Sequence, residues 1–476
     1  MTEQILDDAL RTEVDGLGSV DIPARAYWGA STQRAKDNFD VSGQPIGTLR
    51  SLVWALGAVK KAAARANQQQ HVISVEVGRA IENASQEVMD GFFDEHFVVD
   101  RIQGGAGTST NMNANEVIAN RATELRRDKN SDAAAISALD EVNRSQSTND
   151  VYPTAVKLAL ISDLGNLKQQ YTALAGAFVE KASEFSSILK VGRTQLQDAV
   201  PMTLGQEFAA FGSMMTQEAK AIDVLIPELL ETNLGGTAIG TGITAAETYR
   251  TVVVQALYQI TGLEFYTAED LVKATSDTGP LLSTSATLRQ TAIKLSKIAS
   301  DMRLLSSGPQ TGLAEITLPA VQPGSSIMPG KVNPVIPEMV NQVAFKIVGI
   351  DTAIAMAAEA GQLQLNAFEP VMTDGLLEGI NLLTQACKIL RTRCITGIQA
   401  NTTVLADRMD ESVSIVTALT PVIGYMAASE IAQETLQHGG NVVDKVVARG
   451  LADRKQLETL ISVQALTGIP QNDVGA

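Results

Sequence analysis

The sequence predicts a mainly α protein organised around long, closely packed helices, and three observations carry that prediction. The chain of 476 residues is rich in Ala, Leu, Val and Ile, with only 4% aromatic residues, a composition that suits helices lying close together. Leu204, Phe208, Phe211, Met215, Ile222, Leu225 and Leu229 recur at spacings of three, four or seven and so form one apolar stripe on a helix. From Met339 to Ala360 the chain is apolar nearly all round. A helix of that kind must be buried on several sides, which points to a bundle larger than one chain provides.

The elements follow in chain order. Asp21 to Gly29 is turn-rich and reads as extended, while Leu52 to Asn67 and Val75 to Phe93 have helical apolar spacing. The glycine-rich stretch Gln103 to Asn113 predicts a turn beside Thr108 and Ser109, with a helix starting near Asn113 or Asn115. Ser147, Thr148 and Asn149 suit the cap of a helix, where the dipole also favours an anion. The helical pattern with the stripe follows Gly192 to Pro201, with Pro227 placed to kink its far end. The glycine-rich run Asn233 to Gly242 breaks the pattern. Further helices are expected at 245–261, 280–306, 335–361 and 371–397. Three consecutive domains are expected: a mixed, mostly helical 1–145, a central long-helix region 146–402, and a small helical 403–476.

Several function classes are excluded by the totals. A net charge of −16 argues against nucleic acid, since phosphate contacts need a basic face. The start, Met1-Thr2-Glu3-Gln4, does not read as a signal peptide, and no run of about 18 apolar residues suggests a membrane span. Cys387 and Cys394 lie seven apart, too far to bridge on one helix, and read as reduced core residues of a cytoplasmic protein. His71, His96 and His438 lie outside every motif, which disfavours a zinc site or a Ser-His-Asp triad. No Asp/Glu/His grouping predicts a metal site.

Four separated clusters, around 108, 147, 194 and 325, are rich in Ser, Thr, Asn, Gln and Gly. Neutral donors with one cation, Lys331, fit recognition of a small carboxylate. Charge-assisted hydrogen bonds contribute about 1.5–3 kcal/mol each, so three or four aimed at developing charge supply roughly 5–10 kcal/mol of catalysis. The densest cluster is Gly324-Ser325-Ser326-Ile327-Met328-Pro329-Gly330-Lys331-Val332-Asn333-Pro334. Its glycines and prolines break helix, so it predicts a mobile loop running into a helix that starts near Pro334 or Pro337. Such a loop suits either a lid over an anion or an ordinary surface turn.

That stretch resembles the GSSxMPxKxNP signature of the aspartase/fumarase superfamily, and the resemblance extends in order through Gln103–Asn113, Ser147–Thr154, Gly192–Phe208 and Asn233–Gly242. It implies a three-domain aspartase/fumarase-like fold with a long central helix bundle shared in a homotetramer, each active site drawing on three chains. It further implies an ammonia-lyase reaction: Ser325 removes the Cβ proton of L-aspartate, an aci-carboxylate forms, and ammonia leaves to give fumarate. By the same resemblance Thr108, Ser147, Thr148 and Ser326 surround the β-carboxylate and amino group, with Asn149 near the amino group. Thr194, Lys331 and Asn333 hold the α-carboxylate, with Gln195 beside it. Gln195 stands where other members carry a histidine that pairs with a glutamate at the position of Glu338. Glutamine does not titrate, which disfavours hydration by that pair. Arg34 lies in another family-like stretch, with a structural role equally open. The alternatives are class II fumarate hydratase and a non-catalytic structural member of the fold.

Overall fold

Two antiparallel strands, β1 (Leu10–Asp15) and β2 (Gly18–Pro23), open the described chain, residues 9–468 of a computed structural model. Arg34, on α1 (Ala30–Asn38), grips Asp15 with both Nε (2.7 Å) and Nη2 (3.0 Å) and also reaches the Gly18 carbonyl. Its role is therefore structural: it fastens the first helix to the hairpin, and it holds the Asp15 carboxyl below the usual range.

The helices α2 (Arg50–Gln69) and α3 (Val75–Met89) form as their spacing predicts, within a few residues at each end. Ser74 caps α3 by accepting the Val77 N–H. α4 (Thr108–Arg127) begins earlier than Asn113, because Gly107 takes a left-handed conformation (φ 87°) that turns the chain into the helix at once. Its asparagines are not helix breakers: Asn113 bonds the His96 carbonyl and Asn111 bonds Thr148 from buried positions.

α5 (Thr148–Glu184) runs 37 residues, with Pro153 inside its second turn. Proline leaves the carbonyl four residues back, that of Asn149, without a helical donor. The Asn233 side chain supplies one at 2.9 Å.

The stretch 189–203 forms a hairpin of β3 (Leu189–Thr194) and β4 (Gln197–Thr203). It leads into α6 (Leu204–Leu229), which carries the expected stripe and retains Pro227. Next come β5 (Glu231–Thr232), α7 (Tyr249–Thr261), β6 (Tyr266–Thr267) and α8 (Leu271–Ser276). They are followed by α9 (Gly279–Leu305), β7 (Ile316–Thr317), α10 (Val335–Glu359), α11 (Glu369–Arg393), β8 (Gln399–Ala400) and α12 (Thr402–Glu411). Five short helices close the described chain: α13 (Val416–Ile423), α14 (Tyr425–His438), α15 (Val442–Ala448), α16 (Arg454–Leu460) and α17 (Val463–Thr467). β5 pairs with β6 in parallel, and β7 with β8 antiparallel.

The chain divides into two compact units. One takes the chain up to Leu167 with Ala221–Gln290 and Lys346–Leu382; the other takes Lys168–Lys220, Thr291–Phe345 and the chain from Leu383 onward. In the first, Leu52, Leu56, Ile81, Val117, Leu158 and Leu257 are fully buried. In the second, Phe178, Phe185, Phe208 and Phe211 interlock edge to face or tilted. A second cluster there joins Val191, Met409, Leu419, Ile431, Val446 and Leu457. Cys387 and Cys394 are both free and buried, as expected.

α10 corrects one sequence expectation. Among the described residues it is long and apolar enough to cross a membrane, with a mean hydropathy of 1.3 over its most apolar window. It also carries what a packed protein helix carries. Asn341 is buried and bonds the Ser296 carbonyl, and Asp351 is buried and bonds Ser285 and Arg289. Phe345 and Met356 stay 68% and 69% exposed in the single chain.

Candidate active site

The loop between β7 and α10 belongs to the second unit and carries four of the sequence candidates. Gly324 closes it: its N–H donates to the Lys331 carbonyl (2.9 Å), and its carbonyl accepts from Asn333 Nδ2 (2.5 Å). A Cβ at Gly324 would stand 2.3 Å from the Lys331 oxygen, so only glycine permits the closure. Gly330 turns the far side at φ 80°. Within this frame Ser325 Oγ accepts two backbone N–H bonds, from Ile327 (3.2 Å) and Met328 (3.1 Å). Donors aimed at a hydroxyl oxygen favour its ionised form, which a serine needs in order to act as a base. Ser325 and Lys331 line one open depression with Gly324, Met328 and Val332. Ser326 and Lys331 are exposed. α10 begins at Val335, so Pro334 directly precedes the helix, as its position predicts, and Glu338 sits in the first turn, half-buried.

Thr194 and Gln195 stand at the tip of the β3–β4 hairpin, in the same unit. Thr194 pairs with Gln197, leaving a two-residue turn of Gln195 (φ 55°) and Leu196 (φ 61°). Two left-handed residues in succession match the twist of the flanking strands, and the turn lifts Thr194 and Gln195 into solvent. Lys190, near the base of this hairpin, and Arg193, next to its tip, reach the buried Glu315, at 2.7 and 2.6 Å.

The other candidates belong to the first unit. Thr108 opens α4, its hydroxyl bonded to the Gly105 carbonyl (2.7 Å). The ring of Tyr152 lies on Gly107, where a Cβ would stand 2.5 Å from it, so the glycine fixes the loop before Thr108 against α5. Ser147 caps α5 by accepting the Asn149 N–H (3.2 Å). Thr148 is buried and accepts from Asn111 Nδ2 (3.1 Å), which ties the start of α5 to α4. Asn149 Nδ2 donates to the Ala238 carbonyl (2.8 Å). Cap, anchor and brace are thus the structural tasks of these three residues.

Behind them lies a buried polar network that sequence reasoning missed. Asp150 is fully buried: one oxygen accepts the Ser147 N–H (3.0 Å), the other the N–H groups of Gly235 (3.0 Å) and Thr237 (2.9 Å). The glycine-rich run is therefore a cradle for this carboxylate. Burial pushes the Asp150 carboxyl up to about 6, against the pull of those three N–H donors. Lys60 is equally buried and donates to Asn143 (3.1 Å) and Gln146 (2.9 Å). Burial pulls its ammonium down to about 7. Asp150 lay visibly within a polar cluster, but Lys60 sits in an Ala-rich helix and gave no signal. Among the described residues no three His, Cys, Asp or Glu side chains group as metal ligands.

The sequence as a whole matches known proteins over nearly its full length. A lyase family model covers residues 18–349, and a model of the fumarase C C-terminus covers 415–468. The chain belongs to the aspartase/fumarase superfamily. Aspartate ammonia-lyase of Pseudomonas canavaninivorans is 51% identical over 95% of this chain and 96% of its own length. That of Escherichia coli K12 is 46% identical over 97% of each. A fumarate lyase:delta crystallin structure from Brucella melitensis, bound to cobalt, superposes with a TM-score of 0.92 at 48% identity, covering 96% of this chain and 99% of that one. A class II fumarase from Schistosoma mansoni gives 0.91 at 33% identity, covering 97% and 100%. The mainly helical aspartase/fumarase-like fold expected from the sequence is the fold observed.

Proposed function

We infer that the chain is an aspartate ammonia-lyase, a carbon–nitrogen lyase that reversibly converts L-aspartate to fumarate and ammonia. The reaction is supported by near-full-length relatives of that name at 46–51% identity. One observation carries the assignment of the base: Ser325 Oγ already accepts two backbone N–H bonds in the glycine-closed loop. Ser325 takes the Cβ proton, and the C–H electron pair moves into the β-carboxylate as an aci-carboxylate. The pair then returns to form the Cα–Cβ double bond, while the C–N pair departs with ammonia. Thr108, Ser147, Thr148 and Ser326 receive the β-carboxylate and amino group, with Asn149 at the amino group. Thr194, Lys331 and Asn333 receive the α-carboxylate beside Gln195. Donors fixed in advance around the developing oxyanion stabilise it more than any other device open to such a site. These steps use no organic cofactor.

The six candidates of the second unit and the four of the first serve one site when chains assemble, so the reading includes a homotetramer with sites built from three chains. The exposed, apolar Phe345 and Met356 on α10 support assembly through that helix. The domain division that goes with this reading is 1–145, 146–402 and 403–476. Two buried free thiols support a reducing, cytoplasmic setting. Fumarate hydratase is the second reading, because a class II fumarase shares the fold. The test is fumarate absorbance after adding L-aspartate or L-malate. A rise with aspartate and release of ammonia is expected; a rise with malate alone overturns the assignment.

A further inference from the structure

Glu315 belongs to none of the clusters that the sequence singles out, yet three cationic side chains meet its carboxylate. Its side chain is 1% exposed. Lys190 Nζ meets one of its oxygens at 2.7 Å, Arg193 Nη1 the other at 2.6 Å, and Arg408 Nη1 approaches the second at 3.5 Å. Lys190 is shared with Glu207 at 2.6 Å, and Arg408 also donates to the carbonyls of Leu313 and Gly312. The backbone of Glu315 is fixed as well. Its N–H donates to Leu305 (2.8 Å) and its carbonyl accepts from Asn401 (2.9 Å).

We propose that Glu315 is a positioning residue, whose buried carboxylate holds in one frame the hairpin tip bearing Thr194 and Gln195 and the root of the loop bearing Ser325. Two facts of placement support this. Arg193 immediately precedes Thr194, and successive strand side chains point to opposite faces, so holding Arg193 inward aims Thr194 outward. Glu315 immediately precedes β7, after which the chain enters the Ser325 loop, so its three ion pairs fix where that loop begins. Arg193 is thereby committed to Glu315, leaving Lys331 as the cation for substrate. The inference rests on the ammonia-lyase reading, because it assigns Thr194 to the substrate's α-carboxylate.

The test uses full-length Arg193→Gln and Arg193→Lys, with Glu315→Gln as a third variant. For each, thermal unfolding, oligomeric state, and kcat and KM for L-aspartate are measured. Lys190 and Arg408 still face Glu315 in the Arg193 variants, so these are expected to fold, which the thermal unfolding checks. Arg193→Gln raises KM by on the order of tenfold with a smaller change in kcat, since a displaced Thr194 loosens substrate more than it slows chemistry. Arg193→Lys recovers part of that loss. Unchanged KM in the folded Arg193 variants, a loss that only tracks the unfolded fraction, or no recovery in Arg193→Lys overturns the proposal, whether or not Glu315→Gln folds. Absence of aspartate turnover in the wild type sinks the functional reading instead. The same variant-to-wild-type comparison is then made with L-malate.

Discussion

Gly324→Ala separates the shape of the loop from the chemistry of its serine. The new methyl carbon would lie 2.3 Å from the Lys331 carbonyl oxygen, where an ordinary contact is at least 3.4 Å, so the two sides of the loop must part by about 1 Å. Parting them breaks the Gly324–Lys331 bond of 2.9 Å and the Asn333–Gly324 bond of 2.5 Å. At about 1 kcal/mol each, their loss weighs about 2 kcal/mol against this conformation, roughly a thirtyfold fall in its population. A 1 Å displacement of a catalytic group alone lowers rate by on the order of 100-fold. Expected kcat is therefore about 30- to 100-fold below wild type. Most of the loop is solvent-exposed, so thermal unfolding stays where it was. Steady-state fumarate formation beside a melting curve reads both. A kcat within about twofold of wild type would refute the argument, because Ser325 would then not depend on this closure.

The remaining expectations concern the base, the first unit and pH. Ser325→Ala abolishes turnover and leaves the assembly intact by size-exclusion chromatography; retained turnover removes Ser325 as the base. Gly107→Ala faces both a left-handed backbone and the Tyr152 ring, so it lowers Tm by several degrees in a thermal melt and impairs activity through Thr108. An unchanged Tm would mean that the ring does not hold this turn. Asp150 has a folded-state carboxyl raised to about 6, so the folded state keeps a proton that the unfolded chain releases near 3.8. Its contribution is fully present below about 3.8 and is lost as pH climbs to about 6. The stability gap between wild type and Asp150→Asn, from chemical unfolding at pH 4 to 7, should shift against the wild type across that window and be flat above it. A gap independent of pH refutes the shift.

The long helices were legible because each carries many turns of apolar spacing, and an error of two residues at an end leaves the pattern intact. The loop at 324–334 was legible because glycine and proline restrict the backbone locally, whatever surrounds them. The hairpin at 189–203 was not marked as strand, since the carboxylate that pairs with its Lys190 and Arg193, Glu315, lies more than 100 residues away in sequence. Buried charges were the least visible. Lys60 and Glu315 are ordinary in sequence and differ from surface residues only in what folding places against them, and Asp150 stood out only by its polar neighbours. The three-residue polar run at Ser147 pointed to the right place, while the network that fixes it comes from Asn111 and from the Gly235 and Thr237 amides. Sequence reasoning found the residues that face the substrate in the proposed mechanism more readily than those behind them.

The left-handed turn at Gln195 and Leu196 limits how this enzyme could be redesigned. Any side chain at position 195 must tolerate φ near 55°, which costs about 1–2 kcal/mol for an ordinary residue and disfavours bulky β-branched Val and Ile most, whereas Thr237 and Thr244 adopt such angles elsewhere in the chain. A substitution library there is thus filtered by backbone before chemistry is tested. Asparagine and glycine enter with a conformational advantage unrelated to substrate, and histidine shares much of the advantage of asparagine. Comparisons of turnover among variants at 195 will mix reach and charge with the ease of making the turn. Pairing each of them with Leu196→Gly, which relaxes the neighbouring position, would let the two contributions be told apart.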